Sequence, residues 1–248
     1  MYSYWLGGTE HFQADRATAE RLLKLVPDAR RVARGNREFL HRSVEYLAGQ
    51  GITQFLDIGV GMPTDNLATH EVARKANPDA RVSYVDYDPI VVSHAKAMLA
   101  RPGETVVERA DLRQPERLLS LPGLNAHLDF RRPVAVILTA VLHFVSDQED
   151  PGRILSVIRE ALASGSYLVI AHVTADDVPD PLRASVVLTF RNSSSPIWPR
   201  SAAQIRRLFD GFDLVEPGLV PQRSWRPADG EESSPERAIL LGGVARKP

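Results

Sequence analysis

Apolar residues recur along the first fifty positions at the spacing of helix faces. Phe12, Leu22, Leu23, Leu25 and Val26 form one such face, which Pro27 ends. Val32, Phe39, Leu40, Val44 and Leu47 form a second, stopped by Gly49 and Gly51. From residue 52 the texture changes. Short apolar runs at Thr53–Ile58, Arg81–Asp86, Thr105–Ala110, Val134–Thr139 and Ser166–Val173 alternate with helix signals. Two of those helices open on Asp-Pro, at Asp88-Pro89 and Asp150-Pro151. The aspartate caps free N–H groups, and proline sits in the first turn, where its missing N–H is no loss. Another helix is predicted from Asp65 to Ala76, with Thr64 as N-cap and Asn77-Pro78 as terminator. The run at Val134–Thr139 is apolar throughout, as a parallel strand covered on both faces must be.

The tail reads differently. Ser201 and Gln204 form a capping box that opens a short helix to Phe209. Phe212–Glu216 and Ala238–Ala245 are strand-like and separated by a Pro-, Gly- and Glu-rich loop, which predicts an antiparallel finish. Between 176 and 199 the apolar run Val186–Phe190 fits helix or strand, with helix favoured. The whole predicts an α/β fold: a Rossmann-like, doubly wound, mostly parallel sheet of seven strands with an antiparallel last strand.

Composition narrows the function classes. The chain is 44% hydrophobic and 25% charged, ordinary values for a soluble globular protein. Thirty Lys and Arg against thirty-one Asp and Glu leave a net charge of -1, so no electrostatic footprint for nucleic acid is expected. The absence of cysteine removes disulfides, thiolate metal sites and cysteine nucleophiles, and fits a reducing, cytoplasmic setting. No signal-peptide pattern and no membrane-spanning run of roughly 20 apolar residues is found. The seven histidines lack the paired spacing of zinc ligands, so no metal is expected.

In an open α/β sheet, ligands bind beyond the carboxyl ends of the strands. The first strand ends in Asp57-Ile-Gly59-Val-Gly61, where two glycines permit a tight turn and close backbone approach. A nicotinamide-type loop wants a third glycine at 64, where this chain has threonine. Nor does a carboxylate at Asp57 suit an anionic pyrophosphate; it suits a cation. Asp86 ends the second strand, a little more than the ~20 residues expected between a glycine loop and a ribose-binding acid. Asp88 is the helix cap. Asp111, after the third strand, suits either an adenine amino group or a turn aspartate bonding its own backbone. Thr139-Ala-Val-Leu-His143 follows the fourth strand, where a second substrate would meet the first. His143 there suits a general base or a packed ring.

Asp57-x-Gly59-x-Gly61, Asp86, Asp111 and Val141-Leu-His-Phe together resemble class I S-adenosylmethionine-dependent methyltransferases. Tyr4-Trp-Leu-Gly-Gly8 with Phe12 and Asp15-Arg16 resembles one branch, the S-adenosyl methyltransferase family long described only as a domain of unknown function. So do Ala33-Arg-Gly-Asn36-Arg37, Phe209-Asp-Gly-Phe212 and Trp225-Arg-Pro227. The resemblance implies S-adenosylmethionine as cofactor, contacted by Asp57, Gly59, Gly61, Asp86, Asp111, Leu112 and Thr139. It further implies that residues 1–50 form a helical lid over a domain of residues 51–248, with Tyr4, Asn36 and Arg37 facing the site and Trp198 shaping an acceptor pocket. The function expected is O- or N-methylation of a small molecule, the alternative being a non-catalytic binder of the cofactor. The base-methylating signature Asn/Asp-Pro-Pro-aromatic is missing after the fourth strand, where the chain reads Thr-Ala-Val-Leu-His-Phe. Oligomeric state and acceptor identity are not encoded in any motif.

Overall fold

The computed structural model describes residues 2–8, 13–64, 67–176, 178–191, 196–227 and 239–248. Ten helices are described: α1 (Tyr2–Trp5), α2 (Gln13–Leu25), α3 (Ala29–Gly49), α4 (Thr69–Ala76), α5 (Pro89–Leu99), α6 (Pro115–Leu119), α7 (Pro122–His127), α8 (Pro151–Ala161), α9 (Asp180–Arg191) and α10 (Ala202–Arg207). The strands are β1 (Gln54–Ile58), β2 (Arg81–Asp86), β3 (Thr105–Arg109), β4 (Ala135–Thr139), β5 (Tyr167–Val173), β6 (Asp213–Leu214), β7 (Val220–Pro221) and β8 (Leu240–Arg246). They form one sheet in the order β3-β2-β1-β4-β5-β8-β6, with β7 also paired to β8. The first five run parallel; β8 is antiparallel to its neighbours.

Among the described residues the strands number eight rather than the seven expected. The outer partner of β8 is split into β6 and β7, because Pro217 has no N–H to give a ladder and Gly218 turns through φ +88. The helix expected from Asp65 begins at Thr69, with Ala68 as its cap instead of Thr64. Asp65, Phe12 and Ala238 lie outside the described residues. The stretch read as helix or strand is α9. Asp88 and Asp150 cap as their sequences predict, accepting from the N–H groups of Ile90 and Arg153.

Period-two alternation sends each strand's residues to two faces. Phe55, Val82, Tyr84, Ile137 and Val169 pack with Val44 and Leu47 of α3, Val72 of α4 and Val92 of α5. Leu56, Ile58, Val136, Leu138 and Ile170 pack against Leu118, Leu124, Ile154, Ile158 and Ile205 on α6, α7, α8 and α10. Strands β1, β2, β4 and β5 are thereby covered on both sides, and each fully buried aliphatic side chain contributes about 1.5–3 kcal/mol. The third helix belongs to this core: Phe39 meets Trp225 edge to face, with ring centroids 5.6 Å apart. A smaller cluster of Leu22, Phe190 and Ile197 joins α2 to α9, with Trp5 and Val186 packed against it.

Candidate active site

Strand order reverses between β1 and β4, since β1 leads outward to β2 and β4 leads outward to β5. The crevice at the carboxyl ends of these two strands is where such sheets hold ligands. Two sharp turns meet there. Gly59 has φ +81, and a Cβ at that position would collide with the Val141 side chain from the turn after β4. Ala140, at the start of that turn, sits at φ +58, a left-handed conformation that a residue with a Cβ adopts only at a cost. Gly61 has φ +65 and open space where a Cβ would point, so its backbone can be approached closely.

The parity of β1 puts Asp57 on the Phe55 face, the side covered by α3 and α4. Its carboxylate is buried, and Oδ2 accepts a 2.6 Å bond from the Thr69 hydroxyl at the start of α4. Burial raises its pKa above the usual carboxylate range, against the pull of Thr69 and of the Arg37 charge. No cation pairs with it within 4 Å among the described residues. Asp57, Arg37, Pro63, Thr64, Thr69 and Tyr84 line one narrow recess. Gly8 lies against Ser3 and Thr64, one of the lining residues, since a Cβ on Gly8 would meet Ser3 Oγ and the Thr64 methyl.

Asp86 ends β2. Its Oδ2 accepts from the Gly61 N–H and its Oδ1 from the Asp88 N–H, both at 3.0 Å. It ties the glycine loop to the second strand, and each oxygen keeps capacity for a further donor. Burial raises its pKa, with backbone bonds from Asp88, Gly61 and Tyr87 opposing. Asp111 is more committed than its sequence suggested. It accepts from the Arg113 N–H in an Asx turn and from the guanidinium through both oxygens, at 2.7 to 3.1 Å. Burial alone would raise its pKa; the Arg113 bonds outweigh that and lower it. Arg113 also lies 5.7 Å over the Tyr87 ring and pairs with Glu149. Leu112 is a buried member of the second-face core. Thr139 ends β4, half-buried, on the same face as Ile137, which pairs in register with Asp57.

The N-terminal candidates divide. Asn36 is buried and donates to the Tyr2 hydroxyl at 2.8 Å, while its Oδ1 has no partner. Arg37 reaches the Asp57 recess. Tyr4 instead turns its hydroxyl to Glu20 and Arg30 at an exposed junction of α1, α2 and α3.

Beyond β4 the fold gathers two candidates that the sequence named, His143 and Trp198, with buried residues that no sequence pattern marked. His143 lies in a single turn of 3₁₀ helix (Leu142–Phe144), is 5% exposed, and has an Nδ1 that is sealed and unpartnered. Its backbone carbonyl accepts from the Trp198 N–H at 2.8 Å, which brings those two candidates together. Burial, then His172 and Arg200, hold its pKa well below the usual value. Beside it, Arg200 is 4% exposed and acts as a knot. Nη1 donates to Leu142 O and His172 Nε2, Nη2 to Val145 O and Asp147, and Nε to Asp147, all at 2.7 to 3.1 Å. Because Nε2 of His172 accepts, its Nδ1 carries the proton and donates to Val173 O at 2.8 Å.

A neutral buried imidazole makes stability depend on pH. Unfolded, histidine titrates near 6.5; folded, burial and then Arg200 hold His172 to about 4. His143, His41 and His70 are shifted in the same direction. The contribution of each is therefore complete above about pH 6.5 and is lost as pH falls toward its folded value; for His172 the loss runs from about pH 6.5 toward about 4, at up to about 1.4 kcal/mol per pH unit. Asp57 and Asp86, raised above 3.8, act in the opposite sense as they protonate. Urea melts at pH 7, 6 and 5 are expected to show falling midpoints, and the fall is expected to lessen in His172→Gln. A flat profile would contradict the neutral imidazoles.

A second open depression, lined by Asn125, Leu128, Asp129, Phe130, Arg131 and Ala161, precedes β4 at the far end of the sheet, and its acid Asp129 is already bonded to Arg131. Among the described residues no group of three or more His, Asp or Glu is placed to hold a metal, and no helix is long and apolar enough to cross a membrane.

The profile of a family described as S-adenosyl methyltransferase matches residues 1–248. A solved structure from Thermobifida fusca YX, assigned as a methyltransferase, is 40% identical with a TM-score of 0.93, covering 99% of this chain and 92% of that one. A DUF574 family protein from Streptomyces avermitilis MA-4680 is 36% identical with a TM-score of 0.93, covering 100% of this chain and 95% of that one. Human N-acetylserotonin methyltransferase, solved with S-adenosylmethionine, shares the fold at 18% identity and a TM-score of 0.55, covering 100% of this chain and 62% of that one. A comparison with proteins of curated function found no match.

Proposed function

The chain belongs to the S-adenosyl methyltransferase family, with S-adenosylmethionine as methyl donor, and from that premise we propose that it methylates an oxygen or nitrogen of a small-molecule acceptor held at the carboxyl ends of β1 and β4. One observation supports the donor's position above the rest: Asp57 is a buried carboxylate without a cationic partner among the described residues, at the reversal point of the sheet, beside a glycine turn with open space above it. A buried charge of that kind is costly unless a ligand compensates it. The donor carries the ammonium that does so.

In this reading Asp57 takes the ammonium, and the glycine turn at 59–61 lets the backbone approach the ligand. The free acceptor capacity of Asp86 takes the ribose diol. Asp111, Leu112 and the Arg113–Tyr87 stack border the adenine, and Thr139 faces the reacting centre. Bound there, S-adenosylmethionine supplies an electrophilic methyl group on a sulfonium. The chain's own contribution is to hold the acceptor in line and exclude water. His143 and Trp198 form the acceptor wall. A sealed, neutral His143 makes a poor base, which favours acceptors that need none, such as amines or hydroxyls already ionised.

The lid in this reading is α1 and α2, fastened by Tyr4 to Glu20 and Arg30, and moving with α9 through the small Leu22–Phe190–Ile197 cluster; α3 stays with the core. Free space in the Asp57 recess is about 10 Å³, roughly one water. Too small a space for the donor, the recess opens in this reading by movement of α1 and α2. The test is incubation with methyl-labelled donor and a metabolite extract, then size separation. Label is expected in small molecules; label confined to protein or nucleic acid, or none transferred, would overturn the acceptor class.

A further inference from the structure

Among the described residues Arg37 is a cation without an ion-pair partner. It projects from α3, which Phe39, Val44 and Leu47 anchor in the core. Its Nε is buried and makes no hydrogen bond, and no ion pair joins the guanidinium to any described residue. Leaving such a donor unsatisfied costs about 1–3 kcal/mol, more when the group is charged. Asp57 lines the same recess, too far from Arg37 for an ion pair yet close enough for their charges to interact. One narrow space thus presents an unpaired cation and an unpaired anion on separate walls. The complementary ligand carries an ammonium and a carboxylate on one carbon, which is an α-amino acid.

We propose that Arg37 binds the carboxylate of the donor's methionine moiety while Asp57 binds its ammonium, so that the site selects nucleosides that keep an intact amino-acid tail. This rests on the donor site given under the proposed function. Guanidinium forks match carboxylates bidentately, and a rigid helix holds the fork in place at little further entropic cost. The recess has room for roughly one water, so a ligand that fills it meets both charges with little screening. The same pairing explains why a half-buried arginine with a sealed Nε and a buried aspartate coexist here without neutralising each other: the ligand completes the circuit.

Two commercial probes separate the claims. S-adenosylhomocysteine has the tail; 5′-methylthioadenosine has the same nucleoside and sulfur without it. Calorimetry on the wild type, Arg37→Met and Arg37→Lys is expected to show a clear wild-type preference for S-adenosylhomocysteine. Arg37→Met should weaken that ligand by about 30-fold, or ~2 kcal/mol, and leave 5′-methylthioadenosine within twofold. Arg37→Lys should recover part of the loss as a point charge. Unchanged binding of 5′-methylthioadenosine also reports that the variant is folded. Equal loss for both ligands, or no loss for S-adenosylhomocysteine, overturns the role of Arg37. Binding of neither ligand to the wild type overturns the donor site itself, and the proposal with it.

Discussion

Asp57→Asn is expected to weaken S-adenosylhomocysteine at least 100-fold, about 2.7 kcal/mol, without lowering the thermal midpoint of the free protein. Both halves follow from the burial of one carboxylate. Its raised pKa means that the folded protein holds the charge unwillingly. A group raised in this way contributes stability when protonated and loses it as pH rises through the folded value, so at neutral pH the ionised Asp57 is a net burden on the fold. Asparagine keeps the shape and still offers an oxygen to the Thr69 hydroxyl, now bonded at 2.6 Å. The burden goes and the melting temperature holds or rises. Binding depends on the opposite property: the ligand's ammonium needs a full negative charge in a dry recess, and a neutral amide supplies only a dipole. The pairing of lost affinity with kept stability is what separates a ligand carboxylate from a structural one. A variant that binds normally, or one that unfolds at lower temperature, would contradict it. Wild-type affinity should also fall as pH is lowered toward the raised Asp57 and Asp86 values, at a pH above the ordinary 3.8.

Arg200→Met should cost the fold about 4 kcal/mol, on the order of a 10 °C fall in melting temperature for a chain of this size. The loss does not come from the ion pair as such. Asp147 is 71% exposed on its side chain and rehydrates when its partner goes. Three buried acceptors remain behind: the carbonyls of Leu142 and Val145 and the Nε2 of His172. Each orphan costs about 1–3 kcal/mol, offset in part because a guanidinium no longer needs to be desolvated. Methionine keeps the apolar stem, so a packing void is not the cause. Lysine offers three donors without the planar fork and is expected to fall between. The damage should centre on residues 140–147, the turn that carries His143 and presses Val141 against Gly59. Hydrogen exchange in Arg200→Met is expected to rise there first. A midpoint within 2 °C of wild type would remove Arg200 as the organiser of that turn.

Much of this was readable along the chain. Alternation of short apolar runs with capped helices determined the parallel sheet, because a strand covered on both faces must be apolar throughout and a helix start must satisfy its free N–H groups locally. Asp57, the two glycines and Asp86 were visible because strand ends place residues at one rim whatever the loops do. Those signals are local in sequence, and local physics suffices to read them.

Contacts between distant segments were not readable. Arg200 meets Leu142, Val145, Asp147 and His172 across wide sequence gaps, and nothing about an arginine between Pro199 and Ser201 marks it as buried. Thr69 becomes the partner of Asp57 only because α4 starts at that residue rather than at the predicted Asp65. Asp111 was visible as an acid, but its capture by Arg113 depended on side-chain packing. His143 shows the divide most sharply. The chain shows an imidazole after the fourth strand; only the packing of His172 and Arg200 around it decides that the ring is neutral and enclosed, because desolvation and nearby charge are properties of the folded surroundings and not of the residue.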